Sequence, residues 1–442
     1  SETWERGASN RTKLGMRSVV SGVLREEYAW RGAVAAVVLL LDVALTMGIV
    51  AKVPYTEIDW VAYMQEVGGV ISGERDYSLL KGNTGPLVYP AGFVWFYAGL
   101  HWICEDGRDV ALAQMIFAGI YLLNQGLVLA LYKKAGLSPA WALPLLMLSK
   151  RVHSIFVLRM FNDSVAMLLL HAAMLLFTSR KWTLGCVIYS LAVSVKMNIL
   201  LFAPSLLFLL LCAKGLSGAV QRIALCALLQ VLVALPFLAE HPIAYIRGSF
   251  DLGRVFMHRW SVNLKYLPEE VFVSRALALA LLGLHLAGLA LFFVRHLKPR
   301  AVGIRVWSGV DDLTPAFVCV VMYAGNFIGI VFVRSLHFQF YAWYFHSLPA
   351  LLWATRLPTW SKLSLFCAIE VAFNLTDATG CGDLPRGPDC GSPTSRGAAL
   401  LTISHLTILA ALLLAPSLSQ PSEKTGPHRD ITGPPQDKTK RS

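Results

Sequence analysis

GAVAAVVLLLDVALTMGIV, residues 32–50, is apolar apart from Asp42 and Thr46 and is long enough to cross a hydrocarbon core as a helix. Runs of this kind, many of roughly 17–22 residues, recur along the chain. The 442 residues are 56% hydrophobic and 15% charged, with mean hydropathy +0.57. A soluble domain of this size carries about 25% charged residues. Backbone groups in hydrocarbon must bond internally, so the pattern predicts an all-α, polytopic integral membrane protein. The net charge of +12 would suggest a nucleic-acid partner in a soluble chain. Here the bases flank apolar runs, so orientation and lipid contact account for them and no nucleic acid is expected.

Read outward from residues 32–50, the chain divides into three. Residues 1–31 form a basic tail with Arg6, Arg11, Lys13, Arg17, Arg25 and Arg31, expected in the cytosol by the Lys/Arg bias. No cleavable signal peptide is evident. Residues 32–415 form the membrane domain, with a first loop at 52–86 on the far side, lumenal if the membrane is the endoplasmic reticulum. Later spans are expected at 87–103, 110–132, 164–178, 184–195, 199–212, 219–238, 276–294, 315–333, 338–354, 363–375 and 398–415. Residues 139–160, broken by Pro144 and by Lys150-Arg151, are expected to make no net crossing. This gives about twelve crossings. Residues 416–442, rich in Pro, Ser, Lys and Thr, form a disordered cytosolic tail. In that tail Lys438 and Lys440 take the spacing of a dilysine retrieval signal, read by coat protein.

The loop after the first span runs from Tyr55 to Pro90. It opens TEIDWVAYMQEV (56–67) and closes GNTGPLVYPAG (82–92). Thr56 reads as a helix N-cap, with Glu57 and Asp59 in the first turn. Residues two apart on a helix face nearly opposite ways, so one of the two carboxylates faces a substrate. Asp59 is the candidate. Its competing role is structural, because Thr56-x-x-Asp59 is a capping-box pattern.

Further polar motifs fall at the same ends of later spans: His153–Asp163, Val195–Asn198, Gly253–Asn263 and Arg334–His346. Ionisable residues at membrane depth are costly and point to function. Singly, each has a structural reading. Arg334 can snorkel to the interface, and Trp343 with Tyr344 can belong to an aromatic belt. Convergence on one face favours a site. A carboxylate serves as general base toward a hydroxyl, basic groups hold a lipid phosphate, and aromatics stack on sugar rings. That set suits sugar transfer from a polyprenyl phosphate. No phosphate loop or Asp-x-Asp metal signature supports a nucleotide sugar.

Cys104, Cys186, Cys212, Cys226, Cys319 and Cys367 lie in or beside apolar runs, where buried packing is expected. Cys381 and Cys390 share a polar loop and are expected to form a disulfide if that side is oxidising.

The motifs TEIDWVAYMQEV, GNTGPLVYPAGF, KRVHSIFVLRMFND, SVKMN, GRVFMHRWSVNLKYL and SLHFQFYAWYFHSLP strongly resemble the dolichyl-phosphate-mannose-dependent alpha-1,3-mannosyltransferases of the endoplasmic reticulum, within the GT-C class. The resemblance spans about residues 52–349. It implies a GT-C fold and transfer of a sixth mannose to a five-mannose, two-N-acetylglucosamine dolichyl-diphosphate acceptor. It also implies an acidic base in the first lumenal loop, which maps onto Asp59 with Glu57 as the alternative. A beta-linked donor and an alpha-linked product imply one in-line displacement. The leaving phosphate needs no proton, so no metal or other cofactor is expected. Arg334 and His337 are the expected phosphate contacts, with Arg254, His258, Arg259 and Lys196 as further ones. Asn162, Asp163 and Tyr89 are expected to orient sugars. The competing readings are another transferase using the same lipid donor, a transporter or scramblase, and a non-catalytic membrane subunit. No internal repeat supports the transporter.

Overall fold

A computed structural model describes residues 29–250, 257–297, 313–379, 381 and 390–415. Helices dominate. Among the described residues, five are long and apolar enough to cross a membrane: Ala29–Lys52, Val110–Ala135, Met197–Val233, Arg275–Arg295 and Ser395–Leu414. The pair Ala140–Met147 and Lys150–Leu158, bent by 47°, makes a sixth if it is one span. Pro144 and the Lys150-Arg151 pair sit in this broken stretch, as the sequence leads one to expect. Shorter apolar helices run Asp163–Thr178, Trp182–Val195 and Pro315–Val331.

The Asp163–Thr178 helix is central. It packs on Trp182–Val195, on Val110–Ala135 and on Pro315–Val331. Its buried face includes Val165, Ala166, Leu170, Ala173, Met174 and Phe177. The Ala29–Lys52 and Arg275–Leu297 helices lie at the rim, and leave Leu40, Leu41, Leu279 and Leu282 exposed. Large exposed leucines on long helices suit a hydrocarbon solvent rather than water. The rim helix at the N-terminal side is tied in by polar contacts. Asp42 is fully buried, receives the Tyr121 hydroxyl at 2.9 Å and meets His153 Nε2 at 3.0 Å.

Several elements differ from expectation. Residues 199–212 and 219–238 were expected as two crossings. A kink at Gly215, whose φ of 66° with ψ of −176° is non-helical, does divide Ala203–Val233 between them, but the second stretch ends at Val233 and a separate short helix, Leu235–Glu240, follows. Residues 338–354 form no single helix. They form 3-10 turns at Phe338–Trp343 and Phe345–Ser347, then the short helix Leu348–Trp353 with Pro349 in its first turn. The fold is not wholly α: Lys81–Gly82 and Gly85–Pro86 make a two-residue antiparallel ladder. Gly82 is required there, because an added Cβ would come within 2.5 Å of the Ala62 backbone. That close approach lays the hairpin against the loop helix Trp60–Ile71. Cys367 is exposed, whereas Cys104, Cys186 and Cys319 are buried. Cys381 and Cys390 are joined by a disulfide with Cα atoms 4.9 Å apart.

Candidate active site

The loop helix begins at Trp60, not at Thr56. Thr56 lies upstream and its N–H donates to the Leu158 carbonyl at 3.0 Å. The capping-box reading therefore fails. Asp59 occupies the N-cap position, yet its side chain makes no cap hydrogen bond. The capping is done by Glu57: its Oε1 accepts from Val61 N–H at 3.1 Å, and its Oε2 accepts from the Tyr55 hydroxyl. Glu57 is exposed and Asp59 half-buried. The sequence placed two carboxylates in one turn, and the fold gives them separate duties.

Asp59 faces inward. The Tyr63 hydroxyl, one turn along the same helix, donates to its Oδ2 at 3.4 Å. Thr84, carried in by the hairpin, also hydrogen-bonds it. The Tyr63 hydroxyl lies 3.5 Å from that of Tyr89. Tyr63 packs edge-on against Tyr89, Phe93 and Tyr97, so an aromatic wall backs the carboxylate. Burial raises the Asp59 pKa above the ordinary carboxylate value, Lys196 opposes this, and Asp163 adds to it. Those influences place Lys196 and Asp163 near Asp59, although they come from other elements.

Lys196 ends the Trp182–Val195 helix, and Asp163 begins Asp163–Thr178. Lys196 Nζ donates to Asp163 Oδ2 at 2.7 Å and to Asn162 Oδ1 at 2.8 Å. It also lies 5.4 Å from the Tyr89 ring centre and 5.9 Å from those of Phe340 and Trp343. Trp343 Nε1 donates to the other oxygen of Asp163. Asp163 is fully buried, so both its oxygens are satisfied inside the protein. Asn162 is fully buried too, and its Nδ2 has no acceptor among the described residues. It is a donor aimed at no protein group.

The competing aromatic-belt reading of Trp343 and Tyr344 does not hold. Trp343 is 7% exposed and Tyr344 1%, and Trp343 is stacked on Phe340 at 3.9 Å. Trp343 and Phe340 floor the site, while Tyr344 is buried against His405 and Phe373.

The basic groups form a neighbouring cluster. The segment 333–337 is laced to 261–263: Asn263 Nδ2 donates to the Val333 carbonyl, Leu336 N–H to Asn263 Oδ1 and Val262 N–H to the Leu336 carbonyl, at 2.7–2.8 Å. Arg334 and His337 therefore lie on one strip beside His258 and Arg259. His337 packs against Phe340 at 5.3 Å, which joins this strip to the floor of the site. Arg259 sits 4.8 Å over the Trp260 ring, and His258 packs on Phe272 at 4.8 Å. Arg254 lies outside the described residues, as do Lys438 and Lys440. Lys196, expected as a further phosphate contact, is paired with Asp163. Among the described residues, no three His, Cys, Asp or Glu side chains gather closely enough to hold a metal ion.

Tyr63, Thr84, Phe340 and Trp343 were not singled out as site residues. Tyr63 had a signal, since it stands four residues after Asp59 on a helix. The other three are brought in by tertiary packing.

Glu66 lies on the same helix, 3% exposed, with Oε2 unpartnered among the described residues. Burial, with Asp59 adding to it, pushes its carboxyl up to about 8. A raised folded-state value gives stability that is fully present below the ordinary carboxylate range and lost as pH rises through about 8. Unfolding free energy should therefore fall between pH 5 and pH 8, with a slope of at most about 1.4 kcal/mol per pH unit, and melting temperature with it. Glu66→Gln should flatten that fall; an unchanged slope would assign it to other groups.

A profile of the family described as ALG3 protein matches residues 36–381. An Arabidopsis thaliana protein named Dol-P-Man:Man(5)GlcNAc(2)-PP-Dol alpha-1,3-mannosyltransferase is 48% identical over 416 residues, covering 90% of this chain and 91% of its own. A Homo sapiens protein of the same name is 45% identical over 409 residues, covering 89% of each chain. A Mus musculus protein, again so named, is 44% identical over 410 residues, covering 89% of this chain and 90% of its own.

Proposed function

The chain belongs to the ALG3 protein family, and we propose that Asp59 is the general base with which it transfers mannose from dolichyl-phosphate-mannose to a Man(5)GlcNAc(2)-PP-dolichol acceptor. Its relatives are named for that alpha-1,3 transfer, and the chain is such a mannosyltransferase, acting in N-glycan precursor assembly. The observation that carries the assignment of the base is the unused cap. Asp59 stands at a helix N-terminus without capping it, and faces an aromatic wall and an ion pair.

In the proposed step, Asp59 takes the proton of the acceptor 3-hydroxyl as that oxygen attacks the anomeric carbon of the donor mannose. The bond from that carbon to the phosphate oxygen breaks on the opposite face, and its electron pair leaves with dolichyl phosphate. Asp59 ends protonated, and the configuration inverts. Arg334 and His337, with His258 and Arg259 beside them, hold the departing charge, and Arg254, outside the described residues, is a further proposed contact. Asn162 Nδ2 and Tyr89 orient sugar hydroxyls, and the Lys196–Asp163 pair holds the floor. We read the shorter apolar helices as crossings too, together with Ala91–Ile103, Thr359–Asn374 and the two stretches that meet at Gly215, in a GT-C arrangement of about twelve, with the site on the lumenal side of the endoplasmic reticulum. The tail carrying Lys438 and Lys440 then faces the cytosol, where coat protein could read it.

The test is to incubate the purified chain with dolichyl-phosphate-mannose and the lipid-linked acceptor and to determine the linkage formed. The expected product gains one mannose in alpha-1,3 linkage. Transfer to another hydroxyl class would favour a different lipid-donor transferase. Lipid movement without transfer would favour a scramblase. Sidedness has its own test. Cys381 and Cys390 should map as one oxidised peptide pair in protein purified without reductant, and free thiols at both would contradict a lumenal loop.

A further inference from the structure

Arg159 has no role in the step above, yet its surroundings call for an anion. It follows a π-helical turn, Ser154–Leu158, and precedes Met160, whose φ of 52° is in the left-handed region that non-glycine residues rarely adopt. π-Turns and strained backbone of this kind are concentrated at functional sites. The Met160 carbonyl is held by the Tyr97 hydroxyl at 2.9 Å, so the irregular turn is buttressed from the aromatic wall. Two residues further on come Asn162 and Asp163.

The Arg159 side chain is partly buried, and among the described residues its guanidinium has neither a hydrogen-bond acceptor nor a carboxylate acting on it. The charge it does meet is a like one, that of Arg151. Arg151 is already fixed: it donates to the Phe373 carbonyl at 2.7 Å, lies 4.2 Å over the Phe338 ring and has the Glu370 carboxylate acting on its charge, whereas no carboxylate acts on Arg159. A partly desolvated cation facing a second cation is unfavourable unless an anion completes the site. Phe338 directly follows His337, so the two arginines border the strip that carries Arg334 and His337.

We propose that Arg159 binds the phosphate of the polyprenyl-phosphate donor, a proposal that rests on the transfer reaction argued above. The choice of phosphate follows from distance. The Leu158 carbonyl holds Thr56 N–H, and Asp59 is three residues further on, at most about 11 Å of extended chain. The donor phosphate is attached to the very carbon that reacts beside Asp59. In the acceptor, two N-acetylglucosamines separate the diphosphate from every mannose. An anion at Arg159 is therefore the donor's.

The experiment compares the native chain with Arg159→Gln and Arg159→Lys in lipid nanodiscs. It reads KM for each substrate separately, and measures binding of dolichyl phosphate directly. In Arg159→Gln the donor KM and the dolichyl-phosphate dissociation constant should rise by roughly 10- to 100-fold, the loss of charge-assisted hydrogen bonds. The acceptor KM should stay within about twofold. Lysine keeps the charge without the planar fork, so Arg159→Lys should recover part of the loss. Unchanged dolichyl-phosphate binding in both variants would overturn the proposal, as would an effect confined to the acceptor KM. Native protein that binds dolichyl phosphate but transfers no mannose would instead overturn the reaction, and the binding arm would still decide on Arg159.

Discussion

Asp59→Asn should lower turnover per folded molecule by about 10²- to 10⁴-fold, the usual contribution of a general base. Its melting temperature should stay close to that of the native chain, because Asp59 makes no cap hydrogen bond whose loss could destabilise the helix. Asparagine keeps the shape and can still meet Tyr63 and Thr84, but it cannot take a proton. Donor KM should change little, since the lost interaction belongs to the transition state. Glu57→Gln is the paired control. Glu57 is exposed and accepts from Val61 N–H, so its substitution should cost about 0.5–1 kcal/mol of stability and leave turnover nearly intact. The opposite pattern, normal turnover in Asp59→Asn with collapse in Glu57→Gln, would move the base to Glu57.

Lys196→Met should have two separable consequences. The first is stability. Asp163 is fully buried and loses its counter-charge, and breaking a buried pair from one side costs about 3–5 kcal/mol. The second is the pH dependence of transfer. Burial holds Asp59 above the ordinary carboxylate value, and Lys196 is the strongest influence pulling it down. Removing Lys196 raises Asp59 further, so at a fixed pH less of the base is ionised. The acid limb of kcat/KM should move to higher pH, with activity recovering as pH is raised. Lys196→Met combined with Asp163→Leu discriminates between the two effects. It removes the orphaned carboxylate and should restore much of the stability. It should correct only part of the limb, because Asp163 acts on Asp59 more weakly than Lys196 does. A limb that stays in place in both variants would separate Lys196 from the reaction.

The membrane-borne helical fold was legible because hydrocarbon demands long apolar runs, and residues 32–50 show one plainly. What escaped was shape inside the apolar runs. Residues 338–354 are as apolar as a span, but 3-10 turns place Trp343 on Asp163 instead. Hydropathy cannot register that change, since a buried floor and a lipid-facing helix have the same composition. The break at Gly215, by contrast, falls in the gap between the expected runs 199–212 and 219–238.

At the site, residue types could be read and partners could not. Asp59 stood out as the candidate base in a polar loop, but local spacing gave the N-cap to Thr56, with Asp59 as its competing capping-box partner, whereas Glu57 makes the capping bond. Lys196 could be read as a cation. Its pairing with Asp163, thirty-three positions away, depends on the packing of two helices. Arg159 was hidden by the same limit. An arginine beside an apolar run has an ordinary explanation until its neighbours are known, and here the neighbour is Arg151.

The most direct measurement is a structure of the native chain with the lipid-linked acceptor and an unreactive analogue of dolichyl-phosphate-mannose. The acceptor 3-hydroxyl oxygen should lie within about 2.6–3.2 Å of an Asp59 carboxylate oxygen, with the donor anomeric carbon beyond it and the phosphate against Arg334 and His337. An acceptor hydroxyl bonded to Glu57 or Asp163, with Asp59 still turned to Tyr63 and Thr84 and away from both sugars, would contradict the account.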